Sequence, residues 1–203
     1  MHSRSYRAPG IVPRSPEVNE AAVLEPKLRE TCTFRRCRKI ARQLLGVPVG
    51  YQFDHAIYKA PYNQTSTEWH QDEAYNHEPI PLRSIHFWIP LQPATVENDR
   101  MQFIPGWHHS GMLSYRITNR RGAGGTMAVE GIDVSKAVAG PLAAGSATIH
   151  HPLTLHYTGP NQTSDYRRAW ILHFGASAHM RHRLHPKSIA AKMHAWIPHI
   201  QTP

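Results

Sequence analysis

The sequence predicts a mainly β chain, a β-sandwich or jelly-roll barrel, with one helix ahead of it. Three observations carry this. After Gly46 the chain breaks into short β-like runs separated by Pro, Gly and Asn turns. Before Gly46 there is a stretch of helical period. A chain of 203 residues is long enough for one domain with a sizeable core and too short for two comfortable ones. The expected organisation is an extended N-terminal arm over 1–24 and a single jelly-roll domain over 25–203 that ends in a basic tail.

The elements follow in order. Pro9, Pro13 and Pro16 in a stretch with little periodicity make residues 1–24 an arm. From Pro26, a favourable first-turn residue, Phe34, Cys37, Ile40, Ala41 and Leu44 recur at helical spacing, and Gly46 stops the helix. Arg35, Arg36, Arg38 and Arg42 fall among its polar positions and read as a charged outer face. The β-like runs are "VGYQFDHAIYKA", "EWHQDEAY", "SIHFWIPLQ", "MQFIPG", "GPLAAGSATIHHP", "TLHYTG" and "YRRAWILHF", with the longest irregular insert at about 107–135.

Composition narrows the function. No apolar run approaches the length that spans a bilayer, and the start lacks the apolar stretch of a signal peptide, so a soluble cytoplasmic protein without a membrane partner is expected. Cys32 and Cys37 match neither a zinc knuckle nor a redox pair and read as reduced thiols. "NQT" at Asn63 and Asn161 reads as an accidental glycosylation match. A formal charge of +9 invites a nucleic-acid reading, but the charge is spread over several segments with little aromatic interleaving. It would attract anionic small substrates equally well.

Chemistry concentrates in two segments. In "WHQDEAY", His70 and Asp72 are two apart, which in a strand puts both on one face where a first-row metal could take both. A third ligand would complete two histidines and one carboxylate. His156 in "LTLHYTG" is the leading candidate, with His150 and His151 as rivals. Read as a hairpin turning near Asn161–Gln162, "TLHYTGPNQTSDYRRAWIL" sets His156 opposite Arg167 and Thr158 opposite Asp165. Arg167 then shares the face of His156 and Arg168 points away. A fixed guanidinium beside a chelated metal suits a short dicarboxylate such as 2-oxoglutarate, one end on the metal and the other on the arginine.

The combination resembles the phytanoyl-CoA dioxygenase family of iron(II)- and 2-oxoglutarate-dependent oxygenases. The resemblance rests on "WHQDEAY", "SIHFWIPLQPATVENDRMQFIPGWH" and "AAGSATIHHPLTLHYTGPNQTSDYRRAW" in series, over roughly residues 45–175. It implies a double-stranded β-helix, the cupin-like jelly roll. It implies His70, Asp72 and His156 as the catalytic iron ligands, and Arg167, helped by Thr158, as the partner of the co-substrate's distal carboxylate. Gln71 and Trp88 fall on positions that contact 2-oxoglutarate in relatives. The part before the helix is shorter than is usual for the family, and His55 stands where relatives often carry an apolar residue.

The implied activity is hydroxylation of an unactivated C–H bond of a small molecule, using iron(II), 2-oxoglutarate and O2 and releasing succinate and carbon dioxide. Retention of Asp72 favours hydroxylation over halogenation. Tyr75, His77 and His86 are candidate substrate contacts, with the insert and the tail as lids. The alternatives are a nucleic-acid oxygenase on the same chemistry, motivated by the charge, and a non-catalytic metal-binding barrel. Substrate identity and oligomeric state are not legible.

Overall fold

A computed structural model describes residues 17–75, 83–119 and 126–176. A strand β1 (Glu17–Asn19) and a short helix α1 (Ala21–Leu24) precede a 3-10 turn over Pro26–Glu30 and the helix α2 (Cys32–Leu45). Strands β2 (Val49–Lys59), β3 (Thr67–His70), β4 (Ser84–Pro90) and β5 (Gln102–Phe103) follow. Then come β6 (Arg116–Asn119), β7 (Thr126–Ala128), β8 (Thr148–His150), β9 (His156–Thr158) and β10 (Arg167–Ala176). The chain is mainly β, as expected, and adopts the jelly-roll arrangement. Among the described residues no helix is long and apolar enough to cross a membrane.

The strands form a five-stranded sheet in the order β1-β2-β10-β4-β8, a three-stranded sheet β3-β9-β5 and a two-stranded ribbon β6-β7. The hairpin expected between His156 and Arg167 is corrected here. β9 pairs with β3 and β5, whereas β10 pairs with β2 and β4, so Arg167 lies opposite Lys59 and His156 opposite His70. The connection over 159–166 therefore carries the chain from one sheet to the other. Asn161 holds it: its amide donates to the carbonyls of Ala60 and Asp165 at 3.1 and 2.7 Å and accepts from the Thr163 N–H at 3.1 Å. Asn161 is fully buried and Asn63 nearly so, which removes both as accessible glycan acceptors.

The five-stranded sheet is covered on both faces. On its outer face Ile85, Phe87 and Ile89 of β4 and Trp170, Leu172 and Phe174 of β10 pack under Phe34, Cys37, Ala41, Leu44 and Leu45 of α2. Alternation sends the neighbours His86, Trp88, Arg167, Ala169 and Ile171 to the interior between the sheets. There Trp88, Ala169 and Ile171 meet Ala94, Met101 and Phe103. That is why every residue of "SIHFWIP" is buried.

The helix expected from Pro26 begins six residues later. Thr31 takes the N-cap position, its hydroxyl accepting the Phe34 N–H at 3.2 Å, so the Pro26 turn remains a separate 3-10 element. Gly46 ends α2 at φ 68°, a left-handed conformation that glycine adopts without strain. Within the segment expected as an extended arm, Glu17–Asn19 is extended but paired to β2, and Ala21–Leu24 is helical. The cause is Asp54, buried on the outer face of β2. Its carboxylate accepts the Ala22 N–H at 3.1 Å, the Trp170 indole N–H at 2.6 Å and the Tyr51 hydroxyl at 2.5 Å. Part of the insert at 107–135 is also regular, since β6 pairs with β7 and the Val129 N–H reaches the Trp69 carbonyl at 2.8 Å.

Candidate active site

His70 closes β3, Asp72 opens the 3-10 turn that follows, and His156 opens the adjacent β9 directly opposite His70. The Nδ1–H of His70 donates to the Glu68 carbonyl at 2.7 Å, and that of His156 to the Thr154 carbonyl at 2.9 Å. A carbonyl can only accept, so both tautomers are fixed and both Nε2 lone pairs face Asp72. The Oδ1 atom of Asp72 lies 3.5 Å from His70 Nε2 and 3.3 Å from His156 Nε2. Donors arranged around a first-row ion at roughly 2.1 Å each would sit about 3 Å apart, so these three side chains could hold one on a single face and leave its other positions open.

The electrostatics suit a cation. Burial works against the Asp72 carboxylate, but His156, His150 and His70 around it outweigh burial and hold it well below the usual carboxylate range. Burial, with His156 nearby, lowers His70 and favours its neutral, ligating form. His86 Nδ1–H donates to the second carboxylate oxygen, Oδ2, at 2.6 Å, and His150 Nε2–H approaches it at 3.2 Å. The Ser84 hydroxyl stands 3.2 Å from His86 Nε2, and His173 stacks on His86 with ring centroids 3.6 Å apart. His150, a rival ligand on sequence alone, thus meets Asp72 from the other side. His151 is buried elsewhere, its Nδ1 accepting the Leu153 N–H at 3.1 Å.

Across the interior lies a cluster of buried cations. Arg167 is 2% exposed, yet its Nε and Nη1 donors have no partner among the described residues. Its Nη2 reaches Asp99 Oδ2 at 3.4 Å, and its guanidinium lies over the Trp88 ring, 5.4 Å from the centroid. Arg168 is exposed, so alternation along β10 turns one arginine of "YRRAW" inward and the other out. Lys59 joins Arg167 from the adjacent β2: its Nζ donates to Asp99 Oδ2 at 2.5 Å, to Thr158 Oγ1 at 3.0 Å and to the Gly159 carbonyl. Burial pulls Lys59 down to about 8 and pushes the Asp99 carboxyl up, the first opposed by the charge of Asp99 and the second by those of Lys59 and Arg167. Thr158 stands two residues beyond His156 on the same face of β9, roughly 7 Å along the strand. A short diacid spans that distance.

Of the residues singled out from sequence, the structure brings His70, Asp72 and His156 together at one end and Arg167, Thr158 and Trp88 at the other. Gln71 is placed differently. Both hydrogens of its buried amide go to the carbonyls of Gly111 and Leu153 at 2.9 and 2.8 Å, and its oxygen accepts the Leu113 N–H at 2.8 Å. It braces the insert against the metal-ligand turn. Tyr75 contacts the Met127 N–H at 3.1 Å, and His77 lies outside the described residues, as does the basic tail. Sequence reasoning missed Lys59 and Asp99. The alternation of "FDHAIYK", with Ile57 and Lys59 on one face, was the available signal for the lysine.

The phytanoyl-CoA dioxygenase family model matches residues 3–169. The chain is 29% identical over 177 residues to phytanoyl-CoA dioxygenase domain-containing protein 1 of Bos taurus, covering 83% of this chain and 60% of that protein. The counterpart from Mus musculus is 26% identical, over 76% of this chain and 54% of that protein. The chain therefore spans little more than half the length of these curated relatives. Among solved structures it is similar to EvdO2 from Micromonospora carbonacea var. aurantiaca complexed with 2-oxoglutarate, at 35% identity and a TM-score of 0.74 over 81% of this chain and 68% of that one. The epimerase SnoN, solved in complex with Fe3+, alpha ketoglutarate and nogalamycin RO, shares the fold at 23% identity and a TM-score of 0.63 over 80% and 64% of the two chains. The family match over most of the chain, joined to its jelly-roll fold, makes this protein a member of the phytanoyl-CoA dioxygenase family.

Proposed function

We propose that the chain is an iron(II)- and 2-oxoglutarate-dependent oxygenase that hydroxylates an unactivated C–H bond of a small molecule. The observation that carries this is Arg167, a buried guanidinium with two unsatisfied donors in the same interior as a His/Asp/His metal set. A buried charged donor without an acceptor is costly, and an entering carboxylate removes that cost. Family membership and the 2-oxoglutarate bound to EvdO2 support the choice of acid.

In this reading His70, Asp72 and His156 hold the ion, which when bound supplies oxygen activation coupled to decarboxylation of the 2-oxo acid. Every other part is the protein's. Arg167 takes the distal carboxylate through Nε and Nη1, and the Lys59 ammonium, held by Asp99, Thr158 and Gly159, adds its positive charge beside it. Trp88 closes the wall over the guanidinium and excludes water from the acid. His86 and His150 hold the second oxygen of Asp72 and so fix the plane of the carboxylate. Gln71 ties the insert to the ligand turn.

The test is an anaerobic titration of the iron(II)-loaded protein with 2-oxoglutarate, read by the visible charge-transfer band of the chelate. The band is expected in the wild type. Arg167→Ala should need about 100-fold more acid, because truncating one partner of a buried charge pair costs several kcal/mol. Absence of the band in iron-loaded wild type would overturn the reading.

A further inference from the structure

Among the described residues Asp99 is the one acidic side chain that touches both cations of the pocket. It sits in the turn between β4 and β5, which is pinned by the Arg100 N–H to the Thr95 carbonyl at 2.9 Å and by Asn98, whose side chain accepts the Thr95 N–H and donates to the Pro93 carbonyl, each at 2.8 Å. Its φ of 73° is left-handed, so the turn aims this side chain inward through a conformation that glycine adopts more readily. It is 4% exposed. One carboxylate oxygen accepts the Gly159 N–H, and the other takes Lys59 at 2.5 Å and Arg167 at 3.4 Å. An acid that reaches Arg167 must therefore enter beside a carboxylate that already occupies donors of the same two cations.

We propose that Asp99 is a specificity-determining residue for the 2-oxo acid, an internal carboxylate that shares the Lys59–Arg167 cation pair with the acid's distal carboxylate. This rests on the reading of the interior as a 2-oxoglutarate pocket. Two cations and one carboxylate leave a single net positive charge, matched to one distal carboxylate. Asp99 stabilises the empty pocket by keeping two buried cations from facing each other uncompensated. The same charge repels the ligand's carboxylate and holds the affinity for 2-oxoglutarate below what the cations alone would give. It also narrows discrimination: a 2-oxo monoacid of equal chain length, 2-oxopentanoate, does not meet that repulsion and leaves the cations partly satisfied by Asp99.

The experiment is anaerobic calorimetry of the full chain loaded with iron(II), titrated separately with 2-oxoglutarate and 2-oxopentanoate, in wild type, Asp99→Asn and Asp99→Gly. Asparagine keeps the shape and removes the charge. Glycine removes the side chain at a backbone angle it favours, and a thermal melt of each variant establishes that it is folded before its binding is read. The expected result is 2-oxoglutarate binding about tenfold tighter in both variants, with 2-oxopentanoate changed far less, since a like charge beside a ligand costs on the order of a kcal/mol or more. Equal or weaker 2-oxoglutarate binding in both folded variants would overturn the proposal and make Asp99 an anchor for Lys59 and Arg167. If no variant and no wild type bound either acid, the pocket reading itself would fail and the role of Asp99 with it.

Discussion

Lys59 shows how burial converts an ordinary side chain into a functional one. In water its ammonium is a point charge with three donors; here it is 3% exposed and all its named partners are acceptors. Burial brings its titration down to about 8. The sign follows directly. Below about pH 8 the ammonium is charged and adds to Arg167 in attracting a carboxylate; above it the proton leaves and the net charge of the pocket falls. Binding of an anion therefore takes up a fraction of a proton in the alkaline range. We expect the affinity for 2-oxoglutarate to be flat from pH 7 to about 8 and to decline above it. Lys59→Met should bind the acid about 10-fold or more weakly at pH 7, the loss of one buried positive charge near the carboxylate, and should lack the alkaline decline. A titration of affinity against pH that is the same in wild type and Lys59→Met would remove Lys59 from the pocket.

At the scale of elements, what sequence could read and what it could not divides along one physical line. Alternation within a strand is local, so the opposite directions of Arg167 and Arg168 were legible, as were the apolar face of α2 and its Gly46 stop, whereas the inward direction of Arg167 was read from a hairpin that does not form. His70, Asp72 and His156 were legible as a set of residue types, but the strand expected to carry both His70 and Asp72 ends at His70, and Asp72 lies in the 3-10 turn that follows. Pairing between strands is not local. A turn-rich stretch such as "TGPNQTSD" fits a hairpin and a crossover equally well, and only the tertiary structure shows that it joins two sheets. Arg167 thus faces the pocket for the reason of parity, whereas His156 reaches it from the opposite sheet. The crossover depends on Asn161, whose buried amide replaces the strand pairing that a hairpin would have had. Asn161→Ala removes the acceptor of the Thr163 N–H and leaves the carbonyls of Ala60 and Asp165 with only their 3.3 Å donors, the Asn63 N–H and the Thr163 hydroxyl, and should cost about 1–3 kcal/mol in denaturant unfolding. It should also loosen Lys59 and Arg167, which flank the crossover, so acid binding should weaken more than metal binding. Equal loss of both would assign Asn161 to overall stability alone.

At the scale of the whole molecule, the two halves of the site belong to different sheets. His70 and His156 come from the three-stranded sheet and Asp72 follows directly on β3, while Lys59, Arg167 and Trp88 come from the five-stranded one. In the proposed function a metal ion would touch only the first. A diacid anchored on that ion and on Arg167 connects the two, and its stabilising effect on the fold should depend on the metal being present. Ligand at about 100 times its dissociation constant adds about 2.7 kcal/mol, which for a chain of this size is a rise of roughly 5–10 °C in melting temperature. Under anaerobic conditions iron(II) alone should raise the melting temperature of the wild type. 2-Oxoglutarate should add a further rise with iron(II) present and little without it. In His156→Ala both effects should be lost, and in Arg167→Ala only the second. Because coupling between two ligands is reciprocal, 2-oxoglutarate should tighten iron(II) binding by the same factor by which iron(II) tightens the acid. A melting shift from the acid that is equally large without metal would mean that the cationic pocket binds anions by itself, and the two sheets would then not be bridged through the site.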